Sequence, residues 1–327
     1  MSKNKKPVQK ADPNEEYMKG RFDIVGRRKI WYLLSLCVII PGIICMIVKG
    51  FNFGIDFTGG TIMEMRFDEP VAITSVRDVM KEYKLDSSTI QLSGADSSVT
   101  EATDVMIRTV DLEENERKAI MATLKDKLGN YSVLREEKVG ATMGSELLLN
   151  ALWATLLSWA LIVAYVSMRF EFKFGLASVL ALVHDVLVVL AVFSFLQKQI
   201  DSSFVAALLT IVGYSINDTI VIFDRIRENL KLHFRRGGDI TALANRSIYQ
   251  TLTRSIYTVC TVLFTTLALY FFGGDTTRDF SFALLVGFFS GCYSSIFIAS
   301  PLWVTLRGAG ESRKDAKAEE EIKTEKE

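Results

Sequence analysis

The sequence predicts a polytopic α-helical membrane protein with six transmembrane helices and one ferredoxin-like α+β domain inserted after the first helix. Three observations predict it. Several windows of bilayer-span length are nearly free of charge, although charged residues make up 23% of the 327 and apolar ones 49%. The charges are segregated into two tails, one long segment and one loop. An Asn217-Asp218 pair also sits inside an otherwise greasy stretch, a placement that costs about 2.5 to 3.5 kcal/mol on insertion scales. The 38 basic and 38 acidic residues cancel, a balance that by itself implies nothing about nucleic acid; no nucleic-acid partner is expected of this membrane protein.

Residues 1–29 form a basic tail with nine Lys/Arg, including Lys3, Lys5, Lys6 and Arg27-Arg28-Lys29, against four acids. The apolar run at 30–48 follows at once. It is longer than a signal-peptide core and lacks a small-x-small site behind it, so it reads as an uncleaved anchor with its N-terminus in the cytoplasm. The segment 50–144 is polar and acid-rich. Thr61 to Phe67 alternates as a strand, and Thr74 to Tyr83 reads as a helix capped by Thr74. Ser88 to Leu92 is a short strand ended by Ser93-Gly94, and Asp104 to Val110 alternates again. Glu113 to Leu128 is an amphipathic helix closed by Gly129-Asn130, and Tyr131 to Val139 is strand-like. The order βαββαβ is the ferredoxin-like arrangement.

Apolar runs then recur at Leu147 to Met168, Phe174 to Leu196, Phe204 to Phe223, Ser255 to Phe272 and Phe280 to Leu306, within 145–306. Arg169 and Lys173 separate spans two and three. Seven arginines and lysines, from Arg225 to Arg254, separate four and five. The alternate loops hold only Lys198 and Arg278. This bias puts the loop 224–254 and both termini inside. The fourth helix is expected to run to Arg236 and stop at Gly237-Gly238. Asp239 then caps a second amphipathic helix through Asn245 and Tyr249, placed on the membrane surface. The Lys/Glu-rich tail, 307–327, is expected to be disordered. Cys37, Cys45, Cys260 and Cys292 all lie in apolar windows without metal-ligand spacing, so packing is their expected role.

On the fourth span, Thr210, Tyr214, Asp218 and Arg225 share one face, with Gly213, Asn217 and Asp224 on the adjoining one. Two readings stand: a protonatable carboxylate in a wet crevice, or interhelical hydrogen-bond glue. His184-Asp185 lies halfway along the third span, as a proton relay or a structural ion pair with another span. Arg254 opens the fifth span at the end nearer Asp218, either as its counter-ion or as an interfacial arginine. Gly287 and Gly291, with Ser290, Ser294 and Ser295, form a small-residue strip for close helix packing. Pro301 near the inner end bends or ends the sixth helix. Gly54, Asp56, Gly59 and Gly60, just beyond the first span, read as a structural turn, because no P-loop lysine follows them. No nucleophile–base pair or metal cluster is present, so an enzyme is not expected.

Four stretches carry a resemblance: Phe53-Gly-Ile-Asp-Phe-Thr-Gly-Gly60, Leu182-Val-His-Asp185, Gly213-Tyr-Ser-Ile-Asn-Asp-Thr219 running into Asp224-Arg-Ile-Arg-Glu-Asn229, and Ser294-Ser-Ile-Phe-Ile-Ala299. Together they resemble the SecF side of the SecD/SecF protein-export family, in the resistance-nodulation-division superfamily. The resemblance implies six spans, one extracytoplasmic domain and a SecD-like other half. It implies assembly with the SecYEG translocon, with YajC- or YidC-type accessories, and work on unfolded polypeptides driven by protons, without cofactor or ATP. It places Asp218, beside Asn217, on the proton path, with Arg254 as the basic residue at the start of the fifth span. His184 and Asp185 belong to the family pattern without a fixed role. Two rivals are a proton-coupled small-molecule or lipid exporter of that superfamily, disfavoured by six spans and one small domain, and a purely structural translocon subunit.

Overall fold

Among the described residues, six helices are long and apolar enough to cross a bilayer. The structure, a computed structural model, describes residues 13–92, 101–169, 171–233 and 238–308. The expected turn at Ser93-Gly94, the helix stop at Gly237, the first lysines and the C-terminal tail lie outside them. In chain order the elements begin with α1 (Pro13–Met18), α2 (Arg28–Lys49), β1 (Asn52–Phe53), α3 (Ile55–Thr58), β2 (Gly60–Ala72), α4 (Ile73–Glu82), β3 (Thr89–Leu92), β4 (Glu101–Thr109), α5 (Glu114–Leu128) and β5 (Tyr131–Val139). They continue with α6 (Ala141–Arg169), α7 (Phe172–Leu196), β6 (Gln199–Ile200), α8 (Ser202–His233), α9 (Ile240–Phe272), α10 (Asp275–Ser294) and a π-helical turn at Ser295–Ala299. The chain divides into two units, one of Met1–Gly50, Leu157–Gln197 and Ala206–Glu327, the other of Phe51–Leu156 and Lys198–Val205.

The second unit is built on a four-stranded sheet in the order β3-β4-β2-β5, every neighbouring pair antiparallel. Period-2 alternation sends Met63, Met65 and Phe67 of β2 and Val105 and Ile107 of β4 into one core. Val76, Val79 and Met80 of α4, spaced i, i+3, i+4, cover it together with Ile120 and Leu124 of α5. Thr74 does not cap α4. Strand β2 runs without a loop to Ala72, which takes the cap position with no side-chain bond and leaves Thr74 inside the first turn. At α5, Glu113 and Glu116 form a reciprocal capping box, in which Glu116 reaches back to accept the Glu113 N–H. A feature too short to show as a period is the parallel pairing of β1 with β6, which joins Asn52–Phe53 to Gln199–Ile200.

In the first unit, small residues set the helix separations. A Cβ on Gly42 of α2 would lie 2.2 Å from Ala191 Cβ of α7. On α10, one at Gly287 would meet Ile211 at 2.2 Å, and one at Gly291 would meet Ser215 Cβ at 2.9 Å, so the strip does seat α8. Pro301 does not end the sixth span. The helical run continues to Gly308 through the π turn, whose wider ring absorbs the hydrogen bond that proline removes. Nor is there a separate surface helix after Asp239. Asp239 caps through Thr241 N at 2.7 Å, as expected, but α9 is one helix of 33 residues that carries Asn245 and Tyr249 straight into the fifth span.

The end of the basic tail is also structured. Asn245 Oδ1, buried, accepts the backbone N–H groups of Ile24 and Val25, both at 3.0 Å, while its amide donates to Asp23 at 2.7 Å. Tyr249 donates to the Phe22 carbonyl and Arg246 to Asn14, so residues 14–25 form a strap over the start of α9. Charge composition marked this stretch as a tail because its partner lies over 200 residues away.

Candidate functional site

Two carboxylates lie buried among the membrane helices, and their surroundings differ. Asp185 of α7 is fully buried and accepts four donors. Ser215 of α8 and Ser294 of α10 donate to Oδ2, and Ser290 of α10 donates to Oδ1, all at 2.7 Å. His184 Nδ1 lies 3.2 Å from Oδ1, so the adjacent pair does touch despite the 100° between neighbouring side chains. The cluster extends outward through His184 Nε2 to Ser35 of α2 at 2.9 Å and from Ser35 to the Tyr293 hydroxyl at 3.2 Å. Four helices are thereby tied to one acid.

Asp218 of α8 is 8% exposed and only half satisfied. Ser255 of α9 donates to Oδ1 at 2.6 Å, while Oδ2 is buried without a hydrogen-bond partner among the described residues. A buried carboxylate oxygen left unpaired is costly, and it sets Asp218 apart from Asp185. Arg254 is exposed and forms no ion pair with Asp218 among the described residues. The direct partner is the next residue along, Ser255, because 100° of helix turns one inward and the other out.

One turn towards the Arg225 end, a crevice of about 240 Å³ opens between α8 and α9, lined by Asp224, Arg225, Glu228, Gln250, Thr251 and Arg254. The lining is polar, and the crevice stops at Val221, three residues and one turn short of the Asp218 carboxylate. On the other side, Thr219 bonds Ser295 at 2.8 Å, and Ser295 donates to the Ser215 carbonyl, linking the Asp218 turn to the Asp185 cluster. Asn217 is not part of this arrangement. It is exposed on the outer face of α8 with Thr210 and Gly213.

Sequence reasoning missed Ser255, Ser215, Ser290 and Ser294 as donors. The signal was present in part: Ser290 and Ser294 are four apart and share a face, but small residues in a membrane helix read first as packing. No group of three or more His, Cys, Asp or Glu that could hold a metal occurs among the described residues, and the four cysteines are free thiols.

Comparison with known proteins places this constellation. The model for "Protein export membrane protein SecD/SecF, C-terminal" matches residues 119–309, and that for the SecD/SecF GG motif matches 46–71. A protein translocase subunit SecF from Acidaminococcus fermentans is 49% identical over 287 residues, 88% of this chain and 98% of the relative. The chain belongs to the SecD/SecF family of protein-export membrane proteins. Within that family, the SecF subunit of Sebaldella termitidis is 43% identical over 87% of this chain and 91% of its own length. The SecDF of Bacillus subtilis is 37% identical over 94% of this chain but only 40% of its own. The crystal structure of SecDF from Thermus thermophilus, a translocon-associated membrane protein, superposes with a TM-score of 0.80 at 38% identity, covering 89% of this chain and 39% of that one. The chain thus spans about two fifths of the length of the solved structure it matches.

The family's double-glycine stretch has a structural explanation here. Gly59 and Gly60 sit at φ 71° and 131°, where a side chain is strained, and a Cβ on Gly60 would meet Thr109 O at 2.4 Å. Asp56 accepts the Ser202 N–H at 2.9 Å, and Gly54 N donates to Ile200 O, so the motif joins the start of the sheet to the turn before α8.

Proposed function

We propose that the chain is a proton-motive-force-coupled accessory subunit of the Sec translocase, promoting movement or release of exported polypeptides on the outer side of the membrane. The observation that carries this is the half-satisfied carboxylate of Asp218, with one hydroxyl donor, one unpaired buried oxygen and a polar crevice one turn away. Protonation removes its charge and changes its hold on Ser255 and on the field of Arg254, which shifts α9 against α8. One charge crossing a 100 mV potential supplies about 2.3 kcal/mol. A few kcal/mol moves a two-state element from mostly one posture to mostly the other. Asp185, saturated by four donors, is the fixed hub against which that movement occurs.

The βαββαβ order and the sheet order β3-β4-β2-β5 support reading the second unit as a ferredoxin-like domain. The charge bias of the loops supports placing it outside an inner membrane with both termini inside. The partner is a SecD-like subunit, which the fused SecDF relatives support, and through it the SecYEG translocon, with YajC- or YidC-type accessories and unfolded chains. The chain is not an enzyme on this reading.

The test is Asp218→Asn in the full chain co-expressed with its partner. Proton-dependent export in membrane vesicles falls at least tenfold while the complex still co-purifies intact. Full gradient-driven export in that variant defeats the proposal and leaves Asp218 as helix glue.

A further inference from the structure

Between α2, α7, α9 and α10 the first unit leaves a groove of about 600 Å³. Val38, Val192, Leu267 and Phe289 wall it, one from each helix. Ser35, His184, Ser290 and Tyr293 also line it, but their polar atoms are engaged with one another, with Asp185 and with the Trp31 carbonyl. An apolar space of this kind does not hold water. Phe289 at its lip is 70% exposed.

The ends of the groove differ. Tyr293 and Ser35 lie at one end. Towards the other, each of two walls leads to a cation. Lys49 follows Val38 by eleven residues and so lies on the same face of α2, about 16 Å further along at 1.5 Å per residue. Arg278 precedes Leu285, another wall residue, by seven and lies on the same face of α10. Both cations rest on aromatic rings, Lys49 Nζ at 5.6 Å from the Phe195 centroid and Arg278 Cζ at 5.5 Å from that of Tyr270. Half of a hydrocarbon core of roughly 30 Å is about 15 Å. Lys49 stands about 16 Å beyond Val38 and Arg278 about 10 Å beyond Leu285, rises that one acyl chain reaching from mid-membrane to the rim covers.

We propose that this groove is a binding site for one acyl chain of an anionic phospholipid, with the headgroup phosphate held between Lys49 and Arg278. The geometry favours a lipid over a protein helix, because the site is an apolar slot of single-chain size that ends in a pair of like charges. The seated chain also closes the membrane side of the Ser35–His184–Asp185 network, keeping it dry.

The test uses the full chain in nanodiscs of mixed phosphatidylglycerol and phosphatidylcholine, followed by native mass spectrometry of the released protein. The wild type retains one phosphatidylglycerol, enriched several-fold over phosphatidylcholine. Val192→Trp fills the slot and lowers retention to background. Should that variant fail to fold, Phe289→Trp fills the slot from the lip. The double variant Lys49→Gln/Arg278→Gln retains lipid with the preference abolished. Equal retention by wild type and the folded groove-filling variant overturns the proposal. So does loss of the bound lipid when the SecD-like partner is co-expressed, since a partner helix is then the occupant.

Discussion

At the scale of single residues, the two buried acids separate by how many donors meet them. Asp185 is met by three serine hydroxyls and His184, and Asp185→Ala leaves Ser215 and Ser290 without an acceptor, while Ser294 keeps the Gly291 carbonyl and His184 its bond to Ser35. At about 1–3 kcal/mol for each buried group left unpaired, the full chain in detergent should melt several degrees lower. Asp218 has one donor, and Ser255→Ala removes it. That variant should fold normally but shift the pH dependence of gradient-driven export, whereas an unchanged profile would show that the 2.6 Å bond does not tune the acid. In the second unit, the Arg66 guanidinium hydrogen-bonds Asp104 and holds its carboxyl below the usual carboxylate range. Because the folded value is the lower one, this contribution is present at neutral pH and fades as pH falls through that value. With Arg66 58% exposed it amounts to less than about 1 kcal/mol, so Asp104→Asn should flatten the acid side of the melting curve only slightly.

At the scale of elements, close approach decides the consequences. Gly60→Ala puts a methyl against Thr109 O in a left-handed backbone, so about 1–3 kcal/mol of stability should be lost, read as a lower melting temperature of the full chain. Asn245 fastens the strap of residues 14–25 to α9 through three hydrogen bonds. Asn245→Ala should free that strap, and limited trypsin digestion should then cleave at Arg21 several times faster than in the wild type. The α9 helix itself was legible only in halves. Its first turns are polar and its later ones apolar, which reads as a surface helix followed by a span, yet no proline or glycine between Ile240 and Phe272 breaks the backbone ladder.

At the scale of the whole molecule, α8 leaves Thr210, Gly213 and Asn217 exposed within its apolar run, and a Cβ on Gly213 would touch nothing. Small and polar residues suit a second helix better than lipid. This strip is where the proposed SecD-like partner would seat, and Gly213→Trp should cut its co-purification at least several-fold while leaving the chain's own melting temperature unchanged.

Hydropathy and periodicity belong to contiguous residues, and the sequence therefore determined by itself the six apolar helices, the inserted α+β segment with its βαββαβ order, and Asp218 and Asp185 as the acids to explain. Which groups meet those acids is a property of separations in space. The serine donors to Asp185 lie 30, 105 and 109 residues away and the serine donor to Asp218 lies 37 away. Only the tertiary packing, set by Gly287 and Gly291 against α8, decided that serines and not Arg254 would reach the carboxylates. A hydrogen bond depends on a gap of about 3 Å between atoms, and no pattern along the chain encodes that gap.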